Sequence, residues 1–153
     1  MKKLLIVLLC AVTMVGLATS CSNLGSAASA VATSNAAAST LGASTGTALA
    51  SLYGNYKTTG KLDLTNTTNL SNALILCNAY TQLKANEGNK AYRTAFATGM
   101  VTGGNNLITK LNSGNILNAL LASSSLAGVN ANNISQAVGT ASTIIAILNL
   151  LKN

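Results

Sequence analysis

The sequence predicts an all-α protein: a small bundle of about four or five helices behind a signal segment and a Ser/Ala-rich tether. Three observations carry this. After the first two dozen residues, apolar side chains recur at steps of three, four and seven, as on one face of a helix. Alanine and leucine are abundant, and no proline interrupts the 153 residues. A β-solenoid or β-barrel would need period-two alternation rich in Val, Ile and aromatics, and aromatics make up only 3% of this chain.

The first element, residues 1–20, has the layout of an export signal. Lys2 and Lys3 precede an apolar run from Leu4 to Val15, and Gly16 weakens the helix that run would form. Small residues follow, and Leu17-Ala18-Thr19-Ser20 leads into Cys21. This ending, Thr-Ser-Cys-Ser, resembles the signal of bacterial lipoproteins, in particular those of the Bacteroidetes type. Thr19 and Ser20 fit the two small positions before the cysteine. Ala18 stands where leucine is usual, with Leu17 one place further back. The resemblance covers about the first two dozen residues and implies that Cys21 is the lipid attachment site, its thiol joined to diacylglycerol before cleavage exposes its amine. Acyl chains contribute about 0.8 kcal/mol per buried methylene, so two or three of them anchor a protein permanently. Two other readings compete on the residues alone. One is an uncleaved anchor, although the apolar run falls short of the roughly 20 residues that span a bilayer. The other is a plain secretory signal cut after Ser20. Cys10 lies inside the apolar run, where cleavage would leave almost no signal.

Residues 21–47 form the second unit, built almost wholly from Ser, Ala, Thr, Gly and Asn. Such a stretch serves as a tether. Leu24, Ala28, Val31, Ala38 and Leu41 nevertheless recur at helical steps, so the expectation is a flexible start and then a helix that needs a partner surface, with a break at Gly42 and Gly46. The helical domain proper is expected over 48–153. Tyr53 to Thr65 reads as a loop, with a short hairpin around Thr59-Gly60 as one form it could take.

Asn66 or Thr67 caps the next helix, which runs to about Asn86 with Leu70, Leu74, Cys77 and Tyr80 on one face; Glu87-Gly88-Asn89 ends it. The following helix is expected from Lys90 to about Leu111, with Tyr92, Phe96, Met100, Leu107 and Leu111 on its stripe. Gly99 and Gly103 have the spacing that lets two helices approach closely. Ser113-Gly114-Asn115 restarts the chain into a short apolar helix, Ile116 to Leu121. The last helix is capped by Asn132 or Asn133 and carries Ile134, Val138, Ala141, Ile145, Leu148 and Leu151 at steps of four or three; Ile144, Ile147 and Leu150 widen the stripe, which places this helix at the centre of the core.

The charge balance excludes some partners. The whole chain has a net charge of +7. Without Lys2 and Lys3, seven cations remain against Asp63 and Glu87, a net of about +5. The cations stand singly along about a hundred residues with little aromatic interleaving, so nucleic acid is not an expected partner. Cys77, within Leu76-Cys77-Asn78, reads as a small buried apolar residue rather than a reactive thiol.

The chemistry-bearing residue types are mostly absent. There is no histidine, which removes the common general base and the commonest metal ligand. Gly42-Ala43-Ser44-Thr45-Gly46 matches the G-x-S-x-G pattern in letters only, with no histidine partner and no preceding strand. Two carboxylates and at most one free thiol make a poor metal set. The expectation is a chain that is not an enzyme and has no metal or cofactor.

Two functions follow as expectations. The first is a lipid-anchored protein of the bacterial outer membrane, facing the periplasm, with a structural or interaction role toward another envelope protein. Ser22 after Cys21 resembles outer-membrane sorting signals, and Ser22-Asn23-Leu24-Gly25 lacks the acidic cluster of Bacteroidetes surface export. The second is a carrier that holds a small apolar ligand between helices.

Overall fold

Helix α1 spans Asn35–Thr59, and just over half of its sequence is Ser, Thr, Gly or Asn, all weak helix formers. Two local devices and one tertiary contact hold it. Ser34 caps its start by accepting from the Ala37 N–H at 3.1 Å, and Gly60 ends it in the left-handed region at φ 67°, donating to the Tyr56 carbonyl. Along the helix Thr40, Ser44, Thr45, Thr58 and Thr59 turn their hydroxyls back onto carbonyls four residues earlier. The tertiary contact is a close crossing with the third helix. The computed structural model describes residues 34–129 and 134–152, which are all-α with no strand among them. Cys21 and the expected caps Asn132 and Asn133 lie outside the described residues.

Helices α2 (Thr67–Ala85), α3 (Lys90–Gly103) and α4 (Lys110–Ala122) complete the main body. Asn66, Asn89 and Thr109 cap them, and Thr109 pairs reciprocally with Asn112 in a capping box. A 3₁₀ turn at Ser124–Leu126 leads toward the short α5 (Ile134–Gly139), α6 (Ala141–Asn149) and a final 3₁₀ turn at Leu150–Lys152. Helix α1 packs most extensively on α3, with α2 also against α1 and α4 against α3. The core is filled by Leu49 and Leu52 of α1, Leu76 and Leu83 of α2, Ile116 and Leu120 of α4, and Ile144 and Leu148 of α6. Tyr92, Phe96 and Met100 of α3 are fully buried among them. At the far end, the Lys152 ammonium lies 5.7 Å from the centre of the Tyr56 ring and ties the C-terminal turn to α1.

The α1–α3 crossing is made by glycines on both helices. A Cβ on Gly42 would overlap the Phe96 carbonyl oxygen, and one on Gly46 that of Met100. Reciprocally, a Cβ on Gly99 would overlap the Ser39 carbonyl oxygen, and one on Gly103 that of Ala43. Contacts advance together along both helices, so α1 and α3 run parallel here with backbone against backbone. Thr47 adds a side-chain bond across the crossing, 3.2 Å to the Gly103 carbonyl. The expected break at Gly42 and Gly46 is therefore corrected. The two glycines sit inside a continuous helix because close packing on α3 repays their poor propensity.

Other boundaries also differ from expectation. The loop expected over Tyr53–Thr65 shrinks to 60–66, because Leu52 is fully buried and Tyr53 and Tyr56 pack on the core, which carries α1 onward. Gly60 is a helix cap, so there is no hairpin around it. The α1–α2 seam is polar instead: Asn55 donates to Asn69 at 2.7 Å, Asn69 to the Asp63 carbonyl at 2.9 Å, and Asn72 to Ser51 at 3.0 Å. Helix α3 stops at Gly103 rather than near Leu111. Asn105 and Asn106 both adopt positive φ, 48° and 71°, which breaks the helix, and Leu111 is 90% exposed on the first turn of α4. The restart expected at residues 113–115 occurs earlier, at the Thr109 cap, and Gly114 lies within α4. The single C-terminal helix is interrupted at Thr140, a buried residue whose hydroxyl bonds the Ala137 carbonyl at 2.6 Å. Its buried face comprises Ala137, Ile144, Ile147, Leu148 and Leu151, while Ile145 is only half-buried. These segments close the bundle against α4 and α1; the centre is the α1–α3 crossing.

Candidate functional site

An open groove of about 530 Å³ lies between α3 and α4. Its α3 wall comes from two adjacent rows spaced by four residues, Arg93-Ala97-Val101 and Thr94-Thr98-Thr102, and Leu117 faces them from α4. The threonine hydroxyls donate to the carbonyls of Lys90, Thr94 and Thr98 at 2.9, 2.9 and 3.1 Å. Ser113 likewise donates to the Lys110 carbonyl at 2.9 Å. With these hydroxyls committed to their own helices, the walls are mostly aliphatic. The groups left to meet a ligand are the Asn118 amide and three cations, Lys90, Arg93 and Lys110.

Charge in the groove is one-sided, since no carboxylate lines it. Asp63 lies in the α1–α2 loop, where it accepts from the Thr65 hydroxyl and N–H at 2.6 and 2.9 Å. Those bonds hold its carboxyl below the usual carboxylate value. Glu87 lies beyond the other end of α2 and pairs with Lys84 at 3.0 Å. The 19 residues of α2 span about 28 Å between them, so the two carboxylates do not form a site. Arg93 is half-buried, and its Nε is out of solvent with no acceptor in reach.

The remaining sequence candidates fall elsewhere. Gly42-Ala43-Ser44-Thr45-Gly46 is continuous helix, with Ser44 donating to the Thr40 carbonyl at 3.1 Å, so it is no strand-to-helix nucleophile elbow. Cys77 is fully buried in the core. No cluster of three or more His, Cys, Asp or Glu occurs among the described residues, and none of their helices is long and apolar enough to cross a membrane. Cys21 lies outside the described residues. A second open groove of about 510 Å³, between α4 and α6, carries Ser125 and Thr143 hydrogen-bonded to each other at 2.7 Å and no charged side chain.

The groove cations were missed by a reading that saw charges scattered singly along the chain. Lys90 and Lys110 are twenty residues apart and line one groove only because α3 and α4 share a wall. The legible signal was the four-residue row Arg93-Ala97-Val101 beside the threonine row. Comparison of the chain with protein-family models, curated proteins and solved structures finds no match.

Proposed function

We propose that the chain is a membrane-anchored lipoprotein of the bacterial cell envelope with a structural or protein-interaction role. It is attached through lipid at Cys21 and held on the periplasmic side of the outer membrane. The observation that supports this reading is the sequence from Met1 to Cys21, with two lysines, a short apolar run, small residues and a terminal cysteine. Ser34, where the described bundle begins, is thirteen residues after Cys21. Even fully extended, that length reaches at most about 45 Å, so an anchored bundle stays close to the membrane. Metabolic labelling with a clickable palmitate in the native bacterium tests the reading. Covalent label and recovery in the outer-membrane fraction are expected for the wild type, and neither for Cys21→Ala. A wild type that takes up no label and is released beginning at Cys21 overturns the anchor.

A second reading, a carrier that holds a small apolar ligand between helices, is favoured by the α3–α4 groove, whose volume of about 530 Å³ lies within the range of roughly 300–1,000 Å³ typical of small-molecule sites.

A further inference from the structure

We propose that the α3–α4 groove binds a free single-chain anionic amphiphile, a long-chain fatty acid, with the chain along Ala97, Val101 and Leu117 and the carboxylate on the groove cations. This inference rests on the carrier reading and names its ligand class.

Two features point to an anion. First, Lys90, Arg93 and Lys110 all line one groove that no carboxylate lines. Second, all three stand at the start of a helix: Lys90 and Lys110 open α3 and α4, and Arg93 follows within the first turn of α3. A helix start carries partial positive charge and disfavours cations, by about 0.3–1 kcal/mol each. Neither helix has an acidic residue in its first turn to offset this. Their placement is unfavourable for folding and suited to an incoming negative charge. Arg93 also suits this role chemically, since a guanidinium takes a carboxylate in a charge-assisted pair.

The walls specify the rest of the ligand. Ala97, Val101 and Leu117 are apolar, and the threonines have turned their hydroxyls onto their own helix. The aliphatic stems of Lys90 and Lys110 extend that surface. A small polar anion would leave this floor uncovered, and a neutral chain would leave the cations unmatched. A volume of about 530 Å³ suits one small ligand rather than a two-chain phospholipid, whose headgroup is the competing source of the same charge.

The test uses the full chain as produced by its native host, reconstituted in phosphatidylcholine nanodiscs, with a diazirine-bearing palmitate as photoprobe. Mass spectrometry is expected to place the crosslink on residues 93–102 or 113–118. Excess palmitate should abolish it, and hexadecanol, with the same chain and no charge, should not. Arg93→Gln with Lys110→Gln should reduce labelling about tenfold or more, since each replaces a charged hydrogen-bond donor. Lys110→Gln alone, at an exposed position, keeps the test valid if the double variant does not fold. Equal competition by hexadecanol overturns the anion recognition and leaves the carrier reading standing. Absence of groove labelling by the palmitate probe and by a diazirine-hexadecanol overturns both. Loss of the crosslink when phosphatidylglycerol is added to the disc assigns the groove to a bilayer headgroup and overturns the free fatty acid. Lipid attachment at Cys21 is scored separately by the metabolic label, so no result here bears on it.

Discussion

Helix α3 has two faces of opposite kind. Toward α1 it presents Gly99 and Gly103 and lets the neighbouring backbone come within contact of its own. Toward α4 it presents arginine, threonine, alanine and valine, and the neighbour stands off far enough to leave a groove. The comparison shows that side-chain size decides which helix pairs become core and which become a surface. Where both partners are glycine, main chains meet, and alanine- and leucine-rich helices bury enough surface despite few aromatics. Where one wall carries long cations, the pair opens.

Breaking the closed face should have the largest effect. Gly99→Val places a side chain on the Ser39 carbonyl, which belongs to the α1 backbone and cannot rotate away. The two helices must separate, and the expected loss is about 3 kcal/mol or more, at or above the upper end of ordinary overpacking. Chemical denaturation monitored by circular dichroism should show the midpoint collapsing, or no cooperative transition at all. If Gly99→Val unfolds near the wild-type midpoint, the crossing is not what holds the bundle.

The buried end of α3 supplies a smaller effect of opposite sign. Tyr92 is fully buried, and its hydroxyl has no hydrogen-bond partner. Burial raises its pKa above the ordinary 10.0, because the phenolate would be desolvated. The folded state therefore holds the proton more tightly than the unfolded chain. Its stability contribution is intact below pH 10 and falls as pH rises past it. Tyr92→Phe should gain about 1 kcal/mol at neutral pH by removing an unsatisfied hydroxyl, and its thermal midpoint should decline less than that of the wild type above pH 10. Equal alkaline slopes would show that the hydroxyl is solvated.

Much of this architecture was legible in the sequence, and the failures have physical causes. The second helix could be bounded from Asn66 and Glu87-Gly88-Asn89 because caps and breakers act locally. The close-approach spacing of Gly99 and Gly103 was also visible, but its partners Gly42 and Gly46 looked like breaks. A glycine's cost is local, whereas its benefit here comes from a helix some fifty residues away. The end of α3 was misplaced by eight residues because Leu107 and Leu111 continue the apolar period. The positive φ of Asn105 and Asn106 overrides that pattern. The groove was least legible, since its cations belong to two helices whose facing walls no local pattern specifies.

The smallest expected change sharpens the contrast between the two faces most directly. Gly114 lies in α4 on the groove wall, and a Cβ built there meets nothing within 4 Å. It is inside a helix, without positive φ, so its backbone freedom serves no turn. Gly114→Ala should therefore stabilise by about 0.5–1 kcal/mol, the ordinary gain of alanine over glycine in a helix interior, partly by restricting the unfolded chain. The same substitution at Gly103 should cost several times as much, because its Cβ falls on the Ala43 carbonyl. Measured side by side by urea denaturation, the pair isolates the neighbour's distance as the variable. If both substitutions shift the midpoint the same way, the close crossing and the open groove do not differ as the packing requires.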